Sequence, residues 1–192
     1  ATGQNILSSE FVMTNWTLGV DAKGQPIPNP AKQPKLDGAL VTPNQGGAIN
    51  WPSPSFNPET GLFYANAARA WSVYYLYDDD DKPEGWGGND RGGASQAMLQ
   101  AIDYKTGKVR WSHKWPGGGG GVRSGLLSTA GKLLFAGDPS ANFVALDPAT
   151  GEPLWHAALH ASVSNGPITY ELDGVQYLVV GAGDTLYSFA IR

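Results

Sequence analysis

The chain has 192 residues, a formal net charge of −4 and no cysteine. This length is sufficient for one domain with a sizeable core, and the absence of cysteine excludes a disulfide framework and thiolate metal sites. A mildly acidic chain without a basic cluster argues against a nucleic-acid partner, and no apolar run approaches the ~20 residues of a membrane span.

The first residues repeat a pattern that recurs later in the chain. Ala1-Thr2-Gly3-Gln4 matches residues 149–152, which form part of a tight turn. We therefore expect the chain to start inside a repeat and to be the C-terminal part of a longer protein. Residues 11–20 are predicted to form a strand, and the five prolines between Pro26 and Pro43 predict an irregular excursion over the surface.

Residues 46–57 lead into a new unit, and Asn57-Pro58-Glu59-Thr60-Gly61 turns the chain into an apolar strand. Residues 77–95 then interrupt the pattern with an insertion that carries four consecutive aspartates, Asp78 to Asp81. These carboxylates could bind calcium, but they lack the ligand spacing of an EF-hand, and a solvated acidic loop is the simpler interpretation.

A turn motif recurs with a spacing of 44 residues. Asp103-x-x-Thr-Gly107 is followed four residues later by Trp111, and Asp147-x-x-Thr-Gly151 is followed by Trp155 at the same offset. In each copy the aspartate is predicted to cap the turn, the glycine to adopt a positive φ, and the tryptophan to pack between neighbouring units.

Five consecutive glycines, residues 117–121, separate the two copies. The run lacks the Lys-Ser/Thr of a phosphate-binding loop. It could be a linker, or backbone that lies against a flat ligand.

Repeats of about 40–45 residues with four strands each are typical of β-propeller blades. We therefore predict an all-β fold, a β-propeller of four-stranded antiparallel blades; a β-sandwich with similar hairpins is the alternative. The predicted divisions are 1–48 (the end of a blade plus an irregular loop), 49–115 (a blade with the insertion 77–95), 122–160 (a blade) and 164–192 (a last blade that lacks one strand).

The residues themselves reveal no catalytic machine. His156 and His160 are four apart, but in a strand this spacing does not direct both at one metal, and a surface role is expected for them and for His113. No serine stands in a G-x-S-x-G turn.

Four segments resemble the pyrroloquinoline-quinone-dependent alcohol dehydrogenase family. They are Asn50–Tyr64 (NW-P-x-x-SFNPETGLFY), Ser128–Trp155 (STAG through D-x-x-TG-x-x-x-W), Pro167–Leu178 and Trp16–Ile27. The resemblance implies an eight-bladed ring, of which this chain is the C-terminal part. It also implies a pyrroloquinoline quinone near the axis with a calcium beside it, and a periplasmic location.

In that family a carboxylate takes the proton of an alcohol or sugar hydroxyl, hydride passes to the quinone, and a cytochrome or similar acceptor receives the electrons. The resemblance implies that the catalytic carboxylate and the calcium ligands lie upstream of this chain. The chain then contains no catalytic or metal-ligating residue and supplies one wall of the site, with the remaining blades as its partners.

The family motifs identify three candidate quinone-binding residues. Asn50 matches an asparagine whose amide binds the quinone, and Trp51 beside it contacts the quinone or only packs. Arg123 stands where the family often has a tryptophan. Its guanidinium could pair with a quinone carboxylate, or the substitution marks a rebuilt pocket.

Two functions follow from this resemblance. One is a quinoprotein dehydrogenase of alcohols or sugars; the other is a non-catalytic propeller scaffold that has lost the quinone site. Fold does not decide between them.

Overall fold

The structure is a computed structural model in which residues 2–83, 87–117 and 124–190 are described. Within these residues the regular structure is fourteen β-strands and one short 3-10 turn, residues 30–32. No helix among them is long and apolar enough to cross a membrane. The strands are β1 Thr17–Val20, β2 Pro26–Pro28, β3 Ala39–Val41, β4 Ser55–Asn57, β5 Leu62–Leu76, β6 Gly88–Asp103, β7 Val109–Lys114, β8 Leu127–Ser128, β9 Leu134–Gly137, β10 Asn142–Leu146, β11 Pro153–Ala158, β12 Ile168–Leu172, β13 Val175–Ala182 and β14 Thr185–Ala190.

The strands form three antiparallel sheets in chain order and one small ribbon, β1–β2. The first sheet has the order β3-β5-β6-β7, with β4 also paired to β5. The second has the order β8-β9-β10-β11, and the third consists of β12-β13-β14. The predicted all-β fold of antiparallel sheets is therefore correct. The predicted eight-bladed ring extends beyond this chain and stays a prediction.

The middle strands of the second sheet are buried on both faces. Successive side chains of a strand point to opposite sides. Leu134 and Val144 therefore pack towards the first sheet, whereas Phe135 and Phe143 pack towards the third. These strands lack a polar face because each of their two faces is covered by a neighbouring sheet.

The first strands of neighbouring sheets lie close to one another. The Leu126 amide donates to the Ser53 carbonyl (2.9 Å), and the Ser55 and Ser128 hydroxyls are 3.0 Å apart, so that β8 lies beside β4. Gly125 lies against the backbone of Gly166, just before β12. Sheets that stack face to face and converge at one edge are the packing expected of propeller blades.

The repeated turn has the predicted geometry. Asp103 Oδ1 accepts hydrogen bonds from the Lys105 and Thr106 amides, each at 3.0 Å, and Gly107 has a φ of +68°. Asp147 and Gly151 repeat this arrangement, with a φ of +78° at the glycine. The capping role of the aspartate and the positive φ of the glycine are confirmed.

A tryptophan from one sheet docks on the turn of the next. Trp111 Nε1 donates to the Pro148 carbonyl (3.1 Å), and the buried Tyr64 hydroxyl donates to the same oxygen (2.9 Å). A Cβ on Gly151 would lie 2.7 Å from Trp111 Cε3. Burial raises the pKa of the Tyr64 phenol, so it remains a donor at neutral pH. The predicted position of Trp111 between neighbouring units is confirmed.

We call this contact between a large side chain of one sheet and the glycine turn of the next the seam. It recurs one unit earlier with an aliphatic side chain. Leu7 stands four residues after Gly3, as Trp111 stands four after Gly107. A Cβ on Gly107 would lie 3.3 Å from Leu7 Cδ2, and the Ser9 hydroxyl donates to the Gly107 carbonyl (2.7 Å).

Two segments are more regular than their sequence indicates. Residues 88–95 of the predicted insertion belong to β6 and pair with the distal half of β5, so these residues extend a hairpin. The proline-rich segment contributes β2, the 3-10 turn and β3, and β3 pairs with residues 72–74 of the long β5. The extension of β5 provides the edge that orders β3.

Replacing Gly151 by alanine should destabilise the protein by roughly 2–4 kcal/mol, since the methyl group meets Trp111 and the left-handed backbone is also unfavourable. Gly174 is the matched control: its φ is +76°, but no atom lies within 4 Å of a Cβ there. Gly174→Ala should therefore cost only about 1–2 kcal/mol. Urea unfolding of the full-length protein measures both costs, and equal costs would show that the seam contributes nothing.

Stability should fall in acid through the Asp103 cap. The Thr106 amide is the main cause of a lowered Asp103 pKa, so below about pH 4 the unfolded chain binds more protons than the folded one. The contribution of the ionised Asp103 to stability is fully present above the pKa that Asp103 has in the unfolded chain. It is lost as the pH falls through the lower pKa that Asp103 has in the folded protein. Asp103→Asn keeps an oxygen acceptor but does not titrate, so its melting temperature should fall less than that of the wild type between pH 5.5 and 3. Parallel melting curves would contradict this expectation.

Candidate functional site

The connections between the sheets all emerge at one end of the strands. In an antiparallel sheet the first and third turns lie at one end, and the second turn lies at the other with the links to neighbouring sheets. Residues 42–54 and 159–167 are two of these links, residues 115–117 and 124–126 are the described parts of the third, and residues 77–83 belong to the second turn of the first sheet. Asn50 and Trp51 both belong to the first of these links, so the topology assigns them to this end.

Asn50 is an exposed residue at the entrance to β4. Its Nδ2 donates to the Gly46 carbonyl (3.1 Å), and its Oδ1 accepts from the Trp51 amide (2.9 Å). These contacts use one of the two Nδ2 hydrogens, and among the described residues the second has no acceptor. The Asn50 side chain is thus held in place while retaining a hydrogen to donate to a ligand.

Trp51 follows with 64% of its surface exposed. Large aromatic side chains usually bury most of their area. An exposed indole beside a held amide provides a flat surface and a donor, the combination that a planar ligand with carbonyl oxygens requires.

Arg123 lies outside the described residues, but the chain next to it is held by a buried polar network. Asn66 on β5 donates through Nδ2 to the Ser124 carbonyl (2.8 Å) and accepts at Oδ1 from Trp115 Nε1 (3.4 Å). The Ser124 hydroxyl accepts from the Gly137 amide (2.8 Å). Asn66, Trp115 and Ser124 are all buried, so this network fixes the backbone that follows Arg123.

The sequence reasoning missed Asn66 and Ser124. The available signal was Asn66 itself, the single amide within the apolar run of residues 62–68. A buried amide needs a partner, but its partner lies 58 residues further along the chain.

The extended hairpin also braces the link that carries Asn50. Gln45 Nε2 donates to Asp90 Oδ1 (3.2 Å), and a backbone group of Gln45 is hydrogen-bonded to the phenol of Tyr74. Burial raises the Tyr74 pKa, and the Asp90 carboxylate raises it further. The phenol is therefore neutral at physiological pH, and the link rests on polar groups from both strands of the hairpin.

A second polar cluster lies beyond the predicted site. His160 Nδ1 is 2.6 Å from the Tyr187 hydroxyl, and His160 Nε2 is 3.2 Å from Asp184 Oδ1. The Thr185 hydroxyl and then His160 lower the pKa of Asp184, whose side chain is 94% exposed. Because water surrounds these groups, the cluster fastens the 159–167 link to the β13–β14 turn, in keeping with the predicted surface role of His160.

The Asp-rich segment forms an ion pair at the tip of the long hairpin. Lys82 Nζ lies 2.9 Å from Asp79 Oδ2, and this contact is the main cause of a lowered Asp79 pKa. Across residues 2–83, 87–117 and 124–190 there is no group of three or more His, Asp or Glu side chains arranged to hold a metal ion.

Comparison with protein families gives a match over half of the chain. The family model PQQ_2, described as outer membrane protein assembly factor BamB, matches residues 94–192.

Relatives and solved structures match almost the whole chain. The quinohemoprotein alcohol dehydrogenase of Comamonas testosteroni is 34% identical over 211 residues, covering 99% of this chain and 29% of that protein. Lupanine 17-hydroxylase [cytochrome c] of a Pseudomonas species is also 34% identical, over 194 residues, covering 96% of this chain and 27% of that protein. The crystal structure of the Comamonas enzyme superposes with a TM-score of 0.82 at 31% identity, over 94% of this chain and 29% of that one.

The chain thus spans less than a third of the length of the relatives it matches, and its sheets are similar to part of their propellers. The motifs that carry the resemblance lie inside the matched region, and the fold and the sequence identity agree. The chain belongs to the quinoprotein family of pyrroloquinoline-quinone-dependent alcohol dehydrogenases.

Proposed function

We propose that this chain is one wall of the cofactor site in a pyrroloquinoline-quinone-dependent dehydrogenase that oxidises the hydroxyl group of an alcohol or a sugar. In this proposal the three sheets are the last blades of an eight-bladed ring. The protein is periplasmic and passes its electrons to a cytochrome or a similar acceptor. Two relatives support the substrate class and the acceptor by their names, an alcohol dehydrogenase and a hydroxylase designated with cytochrome c.

The observation that carries the proposal is the Asn50 side chain. It is exposed, it is held by two hydrogen bonds, and it keeps one Nδ2 hydrogen to donate. The quinone carries ring carbonyls and carboxylates, which are acceptors for such a donor. The exposed Trp51 ring beside it offers a flat surface to a planar cofactor.

These residues fit the group by chemistry. Asn50 binds an oxygen of the cofactor, and Trp51 limits the access of water to one side of it. Arg123 is proposed to pair with a carboxylate of the cofactor through its guanidinium, which is suited to two parallel hydrogen bonds. The bound quinone supplies the hydride acceptor, with calcium as the Lewis acid that polarises it.

This chain's contribution is to bind and to orient. The side chains that take the substrate proton and ligate the calcium are proposed to come from other blades. Holding a cofactor rigidly in a reactive geometry lowers the barrier by removing motional freedom in advance. The buried Asn66–Ser124 contact serves this purpose, because it fixes the backbone next to Arg123.

A non-catalytic scaffold is the second candidate. The description of the matching family model, an assembly factor, is the observation that favours it. In that case the exposed Asn50 and Trp51 belong to a surface that meets another protein, and the full-length protein does not bind the quinone.

Asn50→Ala should weaken binding of pyrroloquinoline quinone to the full-length protein by about tenfold, because one hydrogen bond to a charged or polarised oxygen is lost. Asn50→Asp should weaken it further, since a carboxylate repels those of the quinone. Quenching of tryptophan fluorescence during titration with the quinone measures both effects.

Asn57→Ala is the matched control, because this asparagine caps the β4–β5 turn by accepting from the Glu59 amide (2.9 Å), at the end of the strands opposite the links. Its affinity for the quinone should equal that of the wild type. If the wild type neither binds the quinone nor reduces a dye with short alcohols or aldoses, the dehydrogenase proposal is wrong and the scaffold function is favoured.

Removal of calcium with a chelator should abolish dye reduction by the full-length protein, and added calcium should restore it. The triple variant Asp78→Asn, Asp80→Asn, Asp81→Asn should respond in the same way, because the functional cation is proposed to lie outside this chain. Asp79 is left unchanged to keep its ion pair with Lys82. If only the triple variant failed to recover, the Asp-rich segment would be the calcium site.

A further inference from the structure

Asn44 is joined to both the long hairpin and the loop that carries Asn50. Its backbone amide donates to the Ala70 carbonyl (3.1 Å), and its side-chain Nδ2 donates to the Ser72 hydroxyl (3.2 Å). On the other side, Asn44 Oδ1 accepts from the Gly46 amide (3.1 Å) and the Asn44 carbonyl accepts from the Gly47 amide (2.9 Å). All four polar groups of this half-buried residue are engaged.

These partners are on β5, where β3 also pairs, and they lie beside a bulge in the β5–β6 ladder. Ala70 pairs with Ser95 and Ser72 pairs with Gly92, so the β6 strand has one extra residue between them. A bulge of this kind disrupts the regular ladder locally and increases the twist of the hairpin. The Ala70 carbonyl accepts from the Thr42 hydroxyl (3.0 Å) as well as from Asn44.

The loop end of Asn44 leads directly to Asn50. The Gly46 amide is held by Asn44, and the Gly46 carbonyl accepts the hydrogen bond from Asn50 Nδ2 (3.1 Å). The two asparagine side chains are therefore connected through the two peptide units that flank Gly46: Asn44 binds the N–H of the first, and Asn50 binds the carbonyl of the second. The Ala48 carbonyl, which accepts from the Ala68 amide (2.8 Å), fixes the same loop to β5 midway between Gly46 and Asn50.

We propose that Asn44 is a positioning residue for quinone binding: it transmits the rigidity of the bulged β5–β6 hairpin through Gly46 to the amide of Asn50. The inference rests on the proposed function of Asn50. It also gives the extra length of this hairpin a role: the part of β5 beyond its pairing with β4 holds the 42–50 link in place.

Asn44 has no contact with the ligand in this proposal, so its effect must act through Asn50. An amide that is held before binding pays less ordering entropy when the ligand arrives. Loss of Asn44 frees the Gly46 peptide to rotate, and the Asn50 side chain then samples other rotamers. Affinity for the quinone should fall about fivefold in Asn44→Ala.

The test is a double-mutant cycle in the full-length protein with pyrroloquinoline quinone as the titrant and fluorescence quenching as the readout. Asn44→Ala, Asn50→Ala and the double variant are compared with the wild type. Contacts that act as one unit give non-additive effects. Asn44→Ala should therefore weaken binding about fivefold in the wild-type background and less than twofold in the Asn50→Ala background.

Two further measurements separate positioning from general damage. Hydrogen exchange of residues 44–51 in the quinone-free protein should rise in Asn44→Ala and stay at the wild-type rate in the control Asn57→Ala. Ser72→Ala removes only the buried tie between Asn44 and the hairpin, and it should weaken quinone binding in the same direction by about twofold. Ser72→Ala also replaces Asn44→Ala in the double-mutant cycle if Asn44→Ala does not fold.

Equal fold-changes in the two backgrounds would overturn the inference, because Asn44 would then act independently of Asn50. Unchanged affinity in both Asn44→Ala and Ser72→Ala would also overturn it. A wild type that does not bind the quinone overturns the proposed function itself, which distinguishes that failure from failure of the positioning role.

Discussion

The structure depends on the contact between a large side chain of one sheet and the glycine turn of the next. Trp111 lies so close to Gly151 that a methyl group would not fit, and its indole N–H binds the Pro148 carbonyl of the same turn. The apolar part of the contact excludes water, while the hydrogen bond fixes the indole to the backbone of the turn. Leu7 makes the apolar part of this contact with Gly107 in the preceding seam, where the Ser9 hydroxyl supplies the hydrogen bond.

This seam lies at the end of the strands opposite the links between the sheets. The seam fixes each sheet against its neighbour, and the alternation of the strands places the links at the end opposite the seam. There the Ser53 carbonyl accepts from Leu126, and the Asn165 carbonyl accepts from Gly125. Three links from three sheets are thus hydrogen-bonded in series, which gives irregular backbone the rigidity that a cofactor site requires.

Polar groups in the interior extend this rigidity to individual side chains. Asn66 would cost stability if it were left without partners, and its partners are the backbone of Ser124 and the indole of Trp115. Asn44 has the same relation to the bulged hairpin. In both cases an amide located on or beside a strand orders a loop whose neighbouring residues are the proposed ligands of the quinone.

The sequence alone determined the features that depend on interactions within a few residues. The capped turn after Asp103, the positive φ of Gly107 and the offset of Trp111 are local, and so are the alternating strands; their repetition after 44 residues predicts stacked sheets. Only the tertiary structure decided that residues 88–95 continue a strand and that Asn44 meets Ser72 across 28 residues. These outcomes depend on which strands pair and where their register shifts, and such a choice is made by packing between distant segments, which no local pattern encodes.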